Sequence, residues 1–481
     1  IAATSIVTAY NRFYILPQIY SVLPTSGTVG TVVTIAGTGY VANNNILVSF
    51  GINAAIQQAT ADICGWFSTT WTVDTQVFGT TTITASVVGT SGAGVAASSI
   101  FNILSEVYRV TPTTGTVGTM VTIGGTGYDA NDNITVSFGK NANIKQVAAD
   151  TRGWFNTTFT IDTQPYGTTT IKAAGAGMAN AENTFFINHV IVYMTPNRAT
   201  VGSIISMRGT GYAANQNVQI SFGMTDPIAN TTTDDRGMFE ITWTVDSQTM
   251  GSKTVTVSVG ELVDTASLRI LGAIILSPDY GSAGDIISII GTGFDNNENI
   301  QIDFGDKSNI VSGKTGENGT FNISFILVSQ PESRVKVTAN GLVSSVSAEA
   351  YIRLLVINIS PEFGYGLAGA TMTISGRGFT SGDVITAGTI LIGSRTTAHG
   401  QITIAPDGTF GSTTITIPNI PVGIHDITIP INGVVFNFRG MYEVKPHIDL
   451  GEYIAGPPEA GYKVTFNATG FPSNGIIKGM E

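Results

Sequence analysis

Short runs in which large apolar side chains alternate with Ser and Thr recur along the whole chain. Phe67-Ser-Thr-Thr-Trp-Thr-Val73 and Thr81-Thr-Ile-Thr-Ala-Ser-Val87 show the pattern clearly. A period of two places one set of side chains on each face of a strand, so these runs predict half-buried β-strands. Val32-Val-Thr-Ile-Ala36 and Ile46-Leu-Val-Ser-Phe50 are short β-branched runs of the same class. Clusters of Gly, Asn, Asp and Pro separate them, as strand-bounding turns require. No stretch shows a 3.6-residue period with helix caps, and the chain reads as all-β.

The pattern repeats. Pro24-Thr-Ser-Gly-Thr-Val-Gly30 returns as Pro112-Thr-Thr-Gly-Thr-Val-Gly118, and more loosely after Pro196, Pro278 and Pro361. Successive prolines stand 88, 84, 82 and 83 residues apart. Each is followed by Gly37-Thr-Gly-Tyr40 or its counterpart ending at Tyr128, Tyr212, Phe294 or Phe379. A strand closing in Phe50-Gly51 then recurs at Phe138, Phe222 and Phe304, with Ile392-Gly393 divergent. Asp62-Ile-Cys-Gly-Trp-Phe67 and Val73-Asp-Thr-Gln76 also recur. Such self-similarity predicts a tandem array: repeats over 17–104, 105–188, 189–271, 272–354 and 355–444, then the first half of a sixth over 445–481. Roughly seven strands per ~85 residues is the pattern of an immunoglobulin-like sandwich.

Pro-x-x-Gly-x-x-Gly, a Val/Thr/Ile strand, Gly-Thr-Gly-Tyr/Phe and a strand ending in Phe-Gly together resemble the IPT/TIG type of immunoglobulin-like domain. The resemblance covers nearly the whole chain. The second-half pattern, Asp-x-x-Gly-x-Phe before a Thr-rich strand, is similar to tandem modules of prokaryotic surface-layer and adhesin proteins. The resemblance implies a place in the cell envelope: a structural, non-enzymatic extracellular protein whose copies build a surface layer or filament. The alternative is an adhesin whose exposed loops bind glycans or a partner protein. A stalk accessory to a polysaccharide-acting enzyme is a third reading.

Composition trims the alternatives. The 481 residues are 42% hydrophobic and only 11% charged, too apolar for a disordered chain. Twenty-two basic against 33 acidic residues give a net charge of -11, which argues against a nucleic-acid groove. No run approaches the ~20 apolar residues of a membrane helix. A single cysteine, Cys64, leaves no pair for an intrachain disulfide; its counterparts are Arg152, Arg236, Asn318 and Asp407, types that suit an exposed turn. The glycines of Gly37-Thr-Gly39 precede a strand and not a helix, so a turn is favoured over a phosphate loop. Trp66, Trp71, Trp154 and Trp243 are candidates for a sugar-stacking platform, although their alternation with Thr favours packed structural rings.

Turn carboxylates give a calcium candidate: Asp129 and Asp132 in the second repeat, Asp295 and Glu298 in the fourth, supply the hard oxygen that calcium takes. Ordinary turn chemistry explains the same residues. Asn133, Asn156, Asn230, Asn318, Asn322 and Asn467 begin Asn-x-Ser/Thr triplets and are candidate glycosylation sites. Asn133, Asn230 and Asn318 are expected in turns and the others in or beside strands. The four histidines fall in different repeats without a nucleophile at motif spacing; His189 and His447 lie near junctions. Residues 1–16 read as the final strand of a preceding repeat, because Phe13-Tyr-Ile-Leu16 matches Phe101-Asn-Ile-Leu104. Phe13, Ile15 and Leu16 then need a partner, either within a longer chain or in another subunit completed by strand addition. Short apolar junctions such as Leu104-Ser-Glu-Val-Tyr108 predict a stiff stack.

Overall fold

Strands form where the alternating runs stand. The computed structural model describes residues 13–88, 96–177, 179–364, 369–449 and 467–469. In the first repeat they are β1 Gln18–Leu23, β2 Ser26–Gly27, β3 Val32–Thr38, β4 Asn45–Phe50, β5 Asn53–Thr60, β6 Phe67–Thr72, β7 Gly79–Val87 and β8 Ala96–Ile103. One sheet has the order β1-β3-β6 and the facing sheet β2-β8-β7-β4-β5. All neighbours are antiparallel except β2, which lies parallel to β8. This is a two-sheet immunoglobulin-like sandwich.

The second repeat reproduces that order with β9 Glu106–Thr111, β10 Thr114–Gly115, β11 Met120–Thr126, β12 Asn133–Phe138, β13 Asn141–Ala148, β14 Phe155–Thr160, β15 Gly167–Ala174 and β16 Asn180–Ile187. The chain divides into two compact units. One comprises Ile1–Thr195, Ser206–Trp243 and Val255–Ala266; the other comprises Pro196–Ile205, Thr244–Thr254 and Ser267–Glu481. In the first unit, Val190–Thr195 pairs with Ile204–Thr210 over Ser206–Thr210, in the manner of β1 with β3. In the second, the fourth repeat pairs Ala273–Ser277, Ile286–Thr292 and Phe321–Ile326 into the smaller sheet.

Alternate residues of the central strands point into the core. Val33, Ile35, Ile46, Val48 and Phe50 are fully buried in the first repeat, and Val121, Ile123, Ile134, Val136 and Phe138 in the second. Each such side chain contributes about 1.5–3 kcal/mol relative to exposure. The aromatic that ends each Gly-x-Gly-Tyr/Phe motif is buried, with Tyr40, Tyr128, Tyr212, Phe294 and Phe379 at 6% exposure or less. Each packs on the phenylalanine that opens the Asp-x-x-Gly-x-Phe strand, as Tyr128 does on Phe155 at 5.2 Å in an edge geometry. Asn43, Asn131, Asn215 and Asn297 take positive φ in the turns that follow. Asn tolerates that region better than most residues, which accounts for its recurrence there.

The fifth repeat is the most divergent. Its larger sheet runs Phe363–Gly364, Val434–Val444, Gly423–Ile431, Leu391–Ile392 and Arg395–Thr396. The strand Ser347–Ser360 is 14 residues long and belongs to two repeats at once. Its first half pairs with Arg334–Gly341 and its second half with Thr371–Arg377. The boundary expected after Leu354 therefore falls inside a continuous strand. Beyond it, His447–Asp449 pairs with Asn467–Thr469.

Candidate functional site at the repeat joints

The recurring motifs converge at the joints between repeats. The buried glutamine of each Val-Asp-Thr-Gln segment starts the arrangement. Gln164 is fully buried; its Nε2 donates to the Phe138 carbonyl and to Asp162, and its Oε1 accepts from the Lys140 N–H. Gln76 and Gln330 make the equivalent bonds to Phe50 and Phe304. Satisfying those buried polar groups rigidifies the loop that follows. The recurrence of this glutamine at one place in four repeats was the sequence signal for its role; what it anchors was not readable there.

Two residues later the loop meets the next repeat. Phe78 donates its N–H to the Tyr128 carbonyl at 3.1 Å, Tyr166 to the Tyr212 carbonyl at 2.9 Å, and Met250 to the Phe294 carbonyl at 3.1 Å. The same carbonyl is crowded by the turn glycine of Asp-x-x-Gly-x-Phe. A Cβ on Gly237, whose φ is +74°, would stand 2.0 Å from the Tyr212 oxygen and 3.0 Å from Cα of Pro165. Only glycine accommodates that backbone and that approach. The other glycine of the joint, Gly127, lets the Leu104 carbonyl come within 2.4 Å of where its Cβ would be.

Side chains elaborate the joint between the second and third repeats. Tyr166 lies edge-on to Phe186 and against His189, which lies against Tyr212. Asp264 accepts a bond from the Tyr212 hydroxyl at 2.6 Å and stands 2.7 Å from Nδ1 of His189. Burial first, then the neighbouring Asp264, pushes the Tyr212 hydroxyl far above the ordinary tyrosine range. Lys140 pairs with Asp235 at 2.8 Å and Arg236 with Asp162 at 3.7 Å. At the joint between the fourth and fifth repeats, Arg377 donates to the Gln330 and Pro331 carbonyls, and the Ser282 hydroxyl donates to the Asn437 carbonyl at 3.0 Å.

The calcium candidates sit in separate turns. Glu298 is buried and accepts from the N–H groups of Asp295, Val343 and Ser344 and from the Ser344 hydroxyl. Burial opposes its ionised form, but those donors outweigh it and hold the carboxyl below its usual range. Asp132 accepts from the Ala176 N–H, while Asp129 and Asp295 are partly exposed. Among the described residues no three of His, Cys, Asp and Glu converge on one point.

The glycosylation candidates Asn133, Asn156, Asn230, Asn318 and Asn322 all have exposed side chains. Asn318 occupies a turn as expected, whereas Asn133 opens β12 and Asn230 lies within the strand Thr225–Thr232. Asn230 follows a turn in the sequence, but pairing with Gln219 draws it into the ladder. The side chain of Asn467 lies outside the described residues. Phe13, Ile15 and Leu16 are exposed by 90%, 72% and 68%, although Phe101 and Ile103 are fully buried. The Leu16 carbonyl nonetheless meets Gly39 as that of Leu104 meets Gly127. Cys64 is exposed in its turn.

The tryptophans divide. Trp71 and Trp243 are core residues, while Trp66 and Trp154 stand 50% and 38% exposed at the same end of their repeats. Among the described residues no helix is long and apolar enough to cross a membrane.

No family model and no curated protein matches the chain. Similar solved structures include the ICAM-5 D1–D4 ectodomain fragment, 12% identical over 69% of this chain and 98% of that one, with a TM-score of 0.18. The bacterial integrin-binding protein invasin is 14% identical over 71% of this chain and 80% of its own, with a TM-score of 0.19. A Ca2+-stabilized adhesin that helps an Antarctic bacterium bind ice is 13% identical over 70% and 98%, with a TM-score of 0.15. Its own strand order and repetition make the chain a tandem immunoglobulin-like repeat protein.

Proposed function

We propose that this chain is a non-enzymatic structural protein of the cell surface, whose stacked immunoglobulin-like repeats assemble with further copies into a surface layer or extracellular filament. One observation carries the reading: three successive joints use the same backbone bond, to the carbonyls of Tyr128, Tyr212 and Phe294. The repeated bond sets the loop of one repeat against the same backbone position of the next, which suits repeats that serve as spacers. The sparse charge and the Thr/Asn-rich outer faces suit lateral packing of copies. Exposure of Asn133, Asn156, Asn230, Asn318 and Asn322 supports covalent glycans there, and bound divalent ions would bridge an acidic surface. Electron microscopy of the purified protein is the test. Ordered lattices or filaments are the expected result, and particles that stay single at all concentrations would sink the reading.

A second reading, an adhesin that binds glycans, is favoured by a cleft lined with aromatic and unpartnered polar groups at the first joint. Binding on a glycan array without any ordered assembly would make it the better account.

A further inference from the structure

We propose that the cleft between the first and second repeats is a binding subsite for a neutral pyranose sugar. The inference deepens the adhesin reading and does not depend on assembly. The cleft encloses about 300 Å³, at the small end of ligand pockets and suited to a single sugar ring.

Its aromatic wall is built by a local irregularity. β9 pairs with β11 through a register shift that places Val107 opposite Gly125 and Arg109 opposite Gly124, leaving Tyr108 as the extra residue. A bulge re-aims the side chain it carries. Gly124 makes room for it, since a Cβ there would lie 2.9 Å from the Tyr108 hydroxyl. That hydroxyl accepts a 3.0 Å bond from the Trp154 indole N–H. Both rings thus have their polar edges engaged while remaining 46% and 38% exposed. A partly exposed ring held by its polar edge suits stacking against the C–H face of a sugar, because one side of a pyranose is apolar.

The polar groups stand around these rings. The carboxylate of Glu106, at the start of β9, has no hydrogen-bond or ion-pair partner among the described residues, and neither does the Thr75 hydroxyl from the first repeat. The hydroxyl of Thr126 at the cleft's edge is buried and unpartnered. A free carboxylate accepts bonds from two adjacent sugar hydroxyls, and threonines can donate or accept. No lysine or arginine lines the space. That selects against uronates, sialic acids and phosphates, which need a cation, and the net charge of -11 disfavours them further.

The neighbouring repeats provide internal contrasts. Val192 and Met238 replace the aromatic pair in the third repeat, and Val190 replaces Glu106. In the first repeat Tyr20 and Trp66 form the same kind of pair at 5.4 Å, but Gln18 stands in place of Glu106. The loops carrying Val29 and Thr75 wall the second repeat's pair.

The test is titration of the intact chain with methyl glycosides of glucose, galactose, mannose and N-acetylglucosamine, read by isothermal titration calorimetry, which needs no tryptophan reporter. A saturable binding heat with at least one, with a millimolar dissociation constant, is expected. Trp154→Ala and Glu106→Gln should each weaken it at least ten-fold, while Trp66→Ala should leave affinity unchanged. Glu106→Gln is isosteric and keeps the fold even if loss of the indole does not; near-ultraviolet circular dichroism checks both. No saturable response to any neutral glycoside, unaltered affinity in Glu106→Gln, or equal losses in Trp66→Ala and Trp154→Ala would overturn the assignment. Ordered arrays without sugar binding would leave the structural reading intact and remove this one.

Discussion

The joint between the second and third repeats and the joint between the fourth and fifth solve one problem by different means. In the first, a loop tip docks: Tyr166 gives its N–H to Tyr212 and its ring to His189, and the flanking charges are exposed. In the second, the strand Ser347–Ser360 passes from one sandwich into the next. Glu332 occupies the place of Tyr166 there, and Arg377 reaches back to the loop carbonyls instead. A docked loop depends on tight local packing and can separate without unfolding either sandwich. A shared strand cannot, because opening the joint means breaking ladders in both sheets. The lesson is mechanical: tandem repeats with one sequence pattern need not have one stiffness.

The sharpest attack on the contrast is Leu354→Pro. It removes a buried leucine and the N–H that donates to the Ser333 carbonyl at 2.6 Å. A loss of about 3 kcal/mol or more is expected. The fourth and fifth repeats should then melt together in a calorimetric scan; independent transitions would show that the shared strand does not couple them.

Gly237→Ala tests the docked joint. The new Cβ collides with the Tyr212 carbonyl and presses on Pro165, so a cost of about 2 kcal/mol in a urea titration is expected. Gly408→Ala should cost less, because its nearest neighbour is the Phe379 oxygen at 2.6 Å and no residue of the preceding repeat comes closer than 3.7 Å. Equal costs would mean that the strain lies within the repeat and not in the joint.

Smaller effects sharpen the picture. Arg377→Ala and Asp264→Asn should each cost about 1 kcal/mol, one at each joint, since both leave hydrogen-bonding partners unsatisfied. Acid tests the turn of Glu298. The native carboxyl of Glu298 is held below its ordinary value of 4.5, so its contribution is present above that pH and is lost as pH falls through the lower native value. The fourth repeat should therefore become acid-sensitive below about pH 4.5, and Glu298→Gln should abolish that dependence in circular-dichroism melts. Least of all should come from Lys140→Ala. Its ion pair with Asp235 is solvent-exposed, so any shift in the melting point should be slight and vanish in high salt.

Much of the fold was legible in the sequence because its signals are local. Alternation in Phe67–Val73 reports a half-buried strand whatever surrounds it, and the repeat spacing reports how many sandwiches there are. The packed aromatics Tyr40 to Phe379 were readable for the same reason. The tryptophans were not: Trp66 and Trp71 look alike in the pattern, but one lies at a repeat end and the other in the core. Nor could spacing reveal that Glu298 is satisfied by Val343 and Ser344, more than forty residues away.

By itself, then, the sequence determined an all-β array of near-identical modules, since periodicity and turn chemistry act over a few residues and recur with each copy. Tertiary structure alone decided which joints dock and which share a strand. It also decided that Tyr108 and Trp154 face the loops of the preceding repeat. Those outcomes depend on a one-residue register shift and on contacts between separate modules, and neither leaves a local trace in the order of amino acids.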